Sequence, residues 1–232
     1  MHQLISGLVV AGALISAPLA AQDLTISVTN LTHGTYFTPL LVSAHAGGNH
    51  LFQTGQAASA NLQAMAEGGD ISGLAADMAA IGADSVENPA GGLLAPGAST
   101  SFNLTNGAGN DYLSLTAMLL PTNDGFVGLN AIAIPTAPGT YSYRLNAYDA
   151  GTEANNEVIN GGGAPGVLGI PVDPGAASGT GATGVTTTEA NPVVHIHRGA
   201  LGDSNPTGGA SDLDSSVHRW LNPVASLVIT VN

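Results

Sequence analysis

Hydrophobic residues recur at every second position through much of the chain. In LTISVTN (24–30), Leu24, Ile26 and Val28 alternate with polar neighbours, the period of a half-buried strand. Comparable runs are YFTPLLVSAH (36–45), STSFNLT (99–105), YLSLTAMLL (112–120), FVGLNAIAI (126–134), TYSYRLNAY (140–148), VVHIHR (193–198) and VASLVITV (224–231). Turn-forming stretches separate them: NGAGND at 106–111, PTNDG at 121–125 and PTAPG at 135–139. About eight short strands joined in this way predict an all-β fold, an antiparallel sandwich or barrel.

Two segments depart from that period. In SANLQAMAEGGDISGLAADMAAIG (59–82), Leu62, Met65 and Ala66 follow a helical spacing after Ser59, a natural N-cap, and Gly68 and Gly69 end the helix. Asp70 is placed to cap a second short helix carrying Leu74, Ala75 and Met78. These stripes read as faces packed on the sheet. From about 160 to 191 the chain is mostly Gly, Ala, Thr and Pro, which reads as a long flexible Gly-rich loop with one short contact at 167–170.

Residues 1–21, MHQLISGLVVAGALISAPLAA, carry an apolar run of about 12 residues, then Pro18 and small residues up to Ala21. This is the order of a signal peptide, and the run is shorter than the ~20 residues a membrane span needs. The expected product is an exported domain from about residue 23 to 232, in the periplasm, on the cell surface or outside the cell, with no membrane-spanning segment once the leader is cut.

Composition narrows the function. Three Arg and no Lys stand against 16 acidic residues, a formal charge of -13, so nucleic acid is excluded as a natural partner. No cysteine is present, which removes disulfides, thiol catalysis and thiolate metal sites. With 232 residues the chain can bury one sizeable core, and a monomer is expected.

Against a background of only 8% charged residues, NAYDAGTEANNE (146–157) concentrates Asp149, Glu153 and Glu157 among three Asn. Asp149 and Glu153 converge if Gly151 turns the chain sharply. Hard oxygen ligands on a tight turn suit Ca2+. The spacing is not that of an EF-hand, because Gly151 falls at position 3 of such a loop and Asn160 at position 12. The residues alone therefore leave a cation site and a solvated acidic turn both open.

LLPTNDGFVGLNA (119–131) followed by AYDAGTEANNE (147–157) resembles the two signature segments of the spondin N domain, the F-spondin-type module of secreted matrix proteins. RWLNPVASLVITV (219–231) and TPLLVSAH (38–45) fit the same pattern, whereas the cysteine pair and basic stretches of the animal modules are missing. The chain looks like a bacterial stand-alone member. The resemblance implies an eight-stranded antiparallel β-sandwich, here with two short inserted helices. It also implies a Ca2+ at one end of the sandwich, which carries over to Asp124, Asp149 and Glu153. A secreted, non-enzymatic binding or adhesion module follows, acting on an extracellular or cell-surface ligand that the sequence does not name.

A rival reading rests on VVHIHR (193–198). On a strand, His195 and His197 share a face about 7 Å apart, the spacing of a two-histidine transition-metal site, so a Zn, Cu or Fe protein or metalloenzyme is the alternative. No G-x-S-x-G, H-E-x-x-H or P-loop motif is present. The non-enzymatic module is the reading favoured.

Overall fold

The computed structural model describes residues 22–232; the leader read in residues 1–21 lies outside the described residues. Ten strands form in the order β1 (Gln22–Asn30), β2 (Tyr36–Phe37), β3 (Leu41–His45), β4 (Asp84–Glu87), β5 (Ser99–Asn106), β6 (Tyr112–Leu120), β7 (Gly125–Ala133), β8 (Gly139–Asp149), β9 (His195–Ile196) and β10 (Ala225–Val231). Every pairing between them is antiparallel, in the order β4-β3-β6-β7-β8-β10-β1-β5, with β2 on β6 and β9 on β8. The all-β antiparallel architecture is as expected from the alternation, and the two strands beyond the expected eight come from β4 and from the division of residues 36–45 into β2 and β3.

β7 and β8 pair only over Gly125–Gly128 and Asn146–Asp149, within a single sheet that nearly closes into a barrel. At the closing seam, Asp84 of β4 accepts hydrogen bonds from the Gly107 N–H just past β5 and from Asn110 Nδ2. The interior is lined by alternate residues of the long strands: Leu24, Ile26 and Val28 of β1 and Leu227, Ile229 and Val231 of β10 are all buried, as their period demands.

β6 is buried on both faces. Leu113, Leu115, Ala117 and Leu119 point into the main core, while Met118 and Leu120 pack in a second cluster under the helices. Thr116 shares that second face, its hydroxyl donating to Met65 Sδ at 3.6 Å. The helices are α1 (Ala60–Gly68) and α2 (Ser72–Ala80). Ser59 caps α1 by accepting the Leu62 N–H at 3.1 Å, and Gly69 ends it in the left-handed conformation at φ 73°. Asp70 accepts the Ser72 N–H at 2.9 Å at the start of α2. The expected stripes, Leu62, Met65 and Ala66 with Leu74, Ala75 and Met78, are the buried faces.

Three element boundaries differ from the sequence reading. Residues 36–45 break into β2 and β3 around Pro39, which cannot donate to a ladder. β4, DSVE, has no apolar run to betray it. The strand read at 193–198 shrinks to two residues, because the next ladder position on β8 is taken by a side chain: Asn222 Oδ1 accepts the Ala147 N–H at 2.7 Å.

Residues 160–191 contain no helix or strand, but Ile170 is fully buried in the main core. Carboxylates fasten the flanking backbone. Asp173 accepts from the N–H groups of Gly175, Ala177 and Ser178, and Asp212 from those of Ile159 and Ala182. No helix among the described residues is long and apolar enough to cross a membrane.

Candidate functional site

The acidic turn is positioned by strand register. Gly125, the first residue of β7, lies opposite Asp149, the last of β8, so the preceding Asp124 and the turn beginning at Ala150 meet at one end of the sheet. The Ala150 N–H donates to the Asp124 carbonyl at 3.2 Å. Gly151 then turns the chain with φ 70°, and a Cβ there would meet Asn191 O and Val193 N at 2.7 Å. Only glycine fits, on both conformational and steric grounds.

Asp124 organises the turn. Its Oδ2 accepts from Thr152 N at 2.8 Å, Thr152 Oγ1 at 3.2 Å and Glu153 N at 3.1 Å. Its Oδ1 is buried with no partner among the described residues. Burial first, and the neighbouring Asp149 carboxylate second, push the Asp124 acid constant up to about 7. Asp149 is buried as well; Oδ1 accepts from Gly151 N at 2.9 Å and Oδ2 from Asn155 Nδ2 at 2.7 Å.

Glu153 joins Asp124 through its backbone N–H. Its carboxyl is directed elsewhere: Oε2 accepts from Asn123 Nδ2 at 3.2 Å and Gly169 N at 3.1 Å, with Glu67 of α1 nearby, and Oε1 is buried without a partner. Burial is the main reason its acid constant rises to about 7. Among the described residues, then, Asp124 and Asp149 come together, and no group of three acid or histidine side chains is gathered closely enough to hold a metal.

His195 and His197 both lie near Asp149, in different states. His195 pairs with Asp149 across β9 and β8; its Nδ1 donates to Val193 O at 2.8 Å, and its Nε2 is 3.7 Å from Asp149 Oδ2. His197 accepts the Gly199 N–H on Nδ1 at 2.9 Å, so the proton of its neutral ring sits on Nε2. Burial holds it below the usual imidazole range. Its lone pair is therefore already committed to a backbone amide, and ligating a transition metal would cost that bond.

Several structural residues escaped the sequence reading. Glu157 is buried, with Oε1 accepting from Leu201 N at 2.6 Å and Oε2 from Gly202 N at 2.9 Å and Ser211 Oγ at 2.6 Å. Asn123 links both turns, donating to Glu153 and to Asn156 Oδ1 and accepting from Glu157 N. Its position beside Asp124 in PTNDG was the available signal. His218 accepts from Asp214 N on Nδ1 and faces Asp173 Oδ2 at 3.4 Å from Nε2.

The molecule is an antiparallel β-domain whose strand-end loops are tied together by buried carboxylates. The Spondin_N family model matches residues 29–158, more than half of the chain, and the chain belongs to that family. The match takes in Asp124, Asp149 and Glu153 and ends before His195, His197 and Trp220. The fold does not end with it, since β10 pairs with both β1 and β8. Among curated proteins none matches the chain.

Proposed function

We propose that the protein is an exported, non-enzymatic recognition module whose Asp124–Asp149 end binds Ca2+. The observation that carries this reading is Asp124 itself: a fully buried carboxylate beside a second one, with Oδ1 lacking a partner. Two such groups repel when ionised, and a hard cation with oxygen preference relieves that repulsion and occupies the free lone pairs. Glu153, the third ligand implied by the family resemblance, turns its carboxyl toward Asn123 and Gly169, so the proposed site rests on Asp124 and Asp149. The ion would tie the turn before β7 to the turn after β8. Extracellular placement rests on family membership and on the leader-like residues 1–21. The partner is an extracellular or cell-surface ligand.

The decisive experiment is calorimetric titration of the EDTA-treated protein with Ca2+, alongside Asp149→Asn. Saturable binding at one site, lost in the variant, is expected; no heat of binding at millimolar Ca2+ defeats the proposal. Extracellular calcium modules work with Kd on the order of 10⁻⁴ to 10⁻³ M, so the titration must reach that range.

A further inference from the structure

The segment 185–191 is an arch anchored at both ends to the acidic turn. At one end Val185 N donates to Asn156 O at 2.9 Å. At the other, Asn191 O lies against Gly151, where a Cβ would meet it at 2.7 Å. Facing the arch is the loop that leaves β9 through Arg198 and Gly199, fastened where Leu201 N donates to Glu157 Oε1 at 2.6 Å. Arch and loop together line a cavity of about 310 Å³. Neither wall contains a helix or a strand beyond β9, yet each is tied to the rest of the fold, so the cavity belongs to the folded chain and not to a free loop.

Two charges of opposite sign line this cavity, one from each wall: Glu189 on the arch and Arg198 on the loop. Both side chains are exposed. They do not pair with each other, since the ion pairs among the described residues are His195 with Asp149 and His218 with Asp173. Glu189 engages Oε1 alone, which accepts the Asn191 N–H at 2.6 Å, and its other oxygen is open. Arg198 is one of three cationic side chains in a chain with 16 acidic residues, and it lines the same cavity as a carboxylate without closing on it. Glu157 also lines the cavity, but its two oxygens are saturated by Leu201 N, Gly202 N and Ser211 Oγ, so it does not compete for a ligand. Val185, Ala190 and Leu201 supply apolar lining, and Leu201 is left 59% exposed.

These features select the ligand. A simple anion would meet Arg198 but also Glu189, and a simple cation would leave the guanidinium unmatched. A molecule carrying both charges satisfies both walls at once, and a guanidinium is the side chain best shaped to hold a carboxylate. The volume stands at the lower end of the range for small-molecule pockets, which restricts the ligand to a small one. We propose that this cavity binds a free amino acid with an aliphatic side chain, its carboxylate on Arg198, its ammonium on Glu189 and its side chain against Val185, Ala190 and Leu201. The site shares no ligand group with the calcium proposal and stands or falls separately from it.

The test is calorimetry and ligand-observed NMR on the full chain in EDTA, so that calcium plays no part. The probes are L-leucine and L-valine, with isoamylamine and 4-methylpentanoate each presenting the leucine skeleton with one charge removed. At least one of the two amino acids should bind saturably, and both single-charge analogues should bind about tenfold more weakly or worse, as the loss of one charge-assisted hydrogen bond implies. Arg198→Gln and Glu189→Gln, both on exposed side chains, should each weaken the amino acid by a similar factor while leaving the melting temperature in place. The proposal is overturned if neither amino acid binds at millimolar concentration, if isoamylamine or 4-methylpentanoate binds as well as the better amino acid, or if either variant leaves the affinity unchanged. Calcium binding retained by a wild-type protein that ignores both amino acids would sink this inference and leave the calcium reading standing.

Discussion

Gly125 and Asp149 face each other at the last rung of the β7–β8 ladder, and this single pairing brings the carboxylates of Asp124 and Asp149 to one end of the sheet. The paired strands hold the two acids in place whether or not they are ionised.

Calcium should therefore act as a cross-link on the folded state. At a hundredfold excess over Kd it should raise stability by about 2.7 kcal/mol. Thermal denaturation in Ca2+ and in EDTA measures this directly. Asp149→Asn should abolish most of the difference, while Mg2+, which demands a smaller octahedral cage, should substitute poorly.

In EDTA the same site should make stability fall as pH rises. Asp124 has a folded acid constant of about 7 against 3.8 for the free side chain, and that of Glu153 is likewise about 7 against 4.5. Between those limits the folded state holds protons that the unfolded state has released, so stability is greatest below pH ~4 for these groups and is lost through pH ~7. For Asp124 the full effect is on the order of 4 kcal/mol as an upper bound. Urea denaturation at pH 5 and pH 8 should show the wild type weaker at pH 8, with the slope reduced in Asp124→Asn. An unchanged midpoint across that interval would contradict the buried, unpaired placement of these carboxyls.

Glu157→Gln separates structural from ligand carboxylates. Glu157 is saturated by donors from residues 201, 202 and 211. Turning one oxygen into an NH2 group sets donor against donor, at a cost of about 1–3 kcal/mol. The variant should melt lower in both buffers while keeping the full calcium increment.

Gly151→Ala should destabilise by more than the ~1 kcal/mol of a strained φ, because its methyl meets the backbone at Asn191 to Val193. Chemical denaturation gives the loss, and calcium affinity should fall with it, since Thr152 N and Glu153 N are the donors that hold Asp124.

The histidine pair offers a sharper contrast. Replacing His195 and His197 together with Gln should leave the transition-metal content of purified protein unchanged, as measured by elemental analysis. Stoichiometric Cu or Zn that disappears in that variant would reinstate the metalloenzyme reading.

What was legible in the sequence was whatever short-range periodicity encodes. Long strands and both caps of α1 follow from spacing alone, and Ser59 and Gly69 stand where their chemistry puts them. The conjunction of Asp124 with Asp149 was legible through the signature segments, since β7 and β8 are neighbours in sequence and space. The direction of the Glu153 carboxyl was not, because Asn123, Gly169 and Glu67 reach it from three separate parts of the chain. The burial of Glu157 was not legible for the same reason: its donors lie 44 or more residues away. β4 was hidden because an acidic strand of four residues at a seam has no apolar face to show.

The place of β10 between β1 and β8 has a consequence for how the molecule is made. The first long strand finds one of its two neighbours about 200 residues downstream, at Leu24 with Val231 through Asn30 with Ala225. Until residues 225–231 have left the ribosome, β1 and β8 each keep an open flank and the core between them stays unsealed. Such distant pairing slows folding, so a nascent chain of this design remains threadable until residues 225–231 have been made.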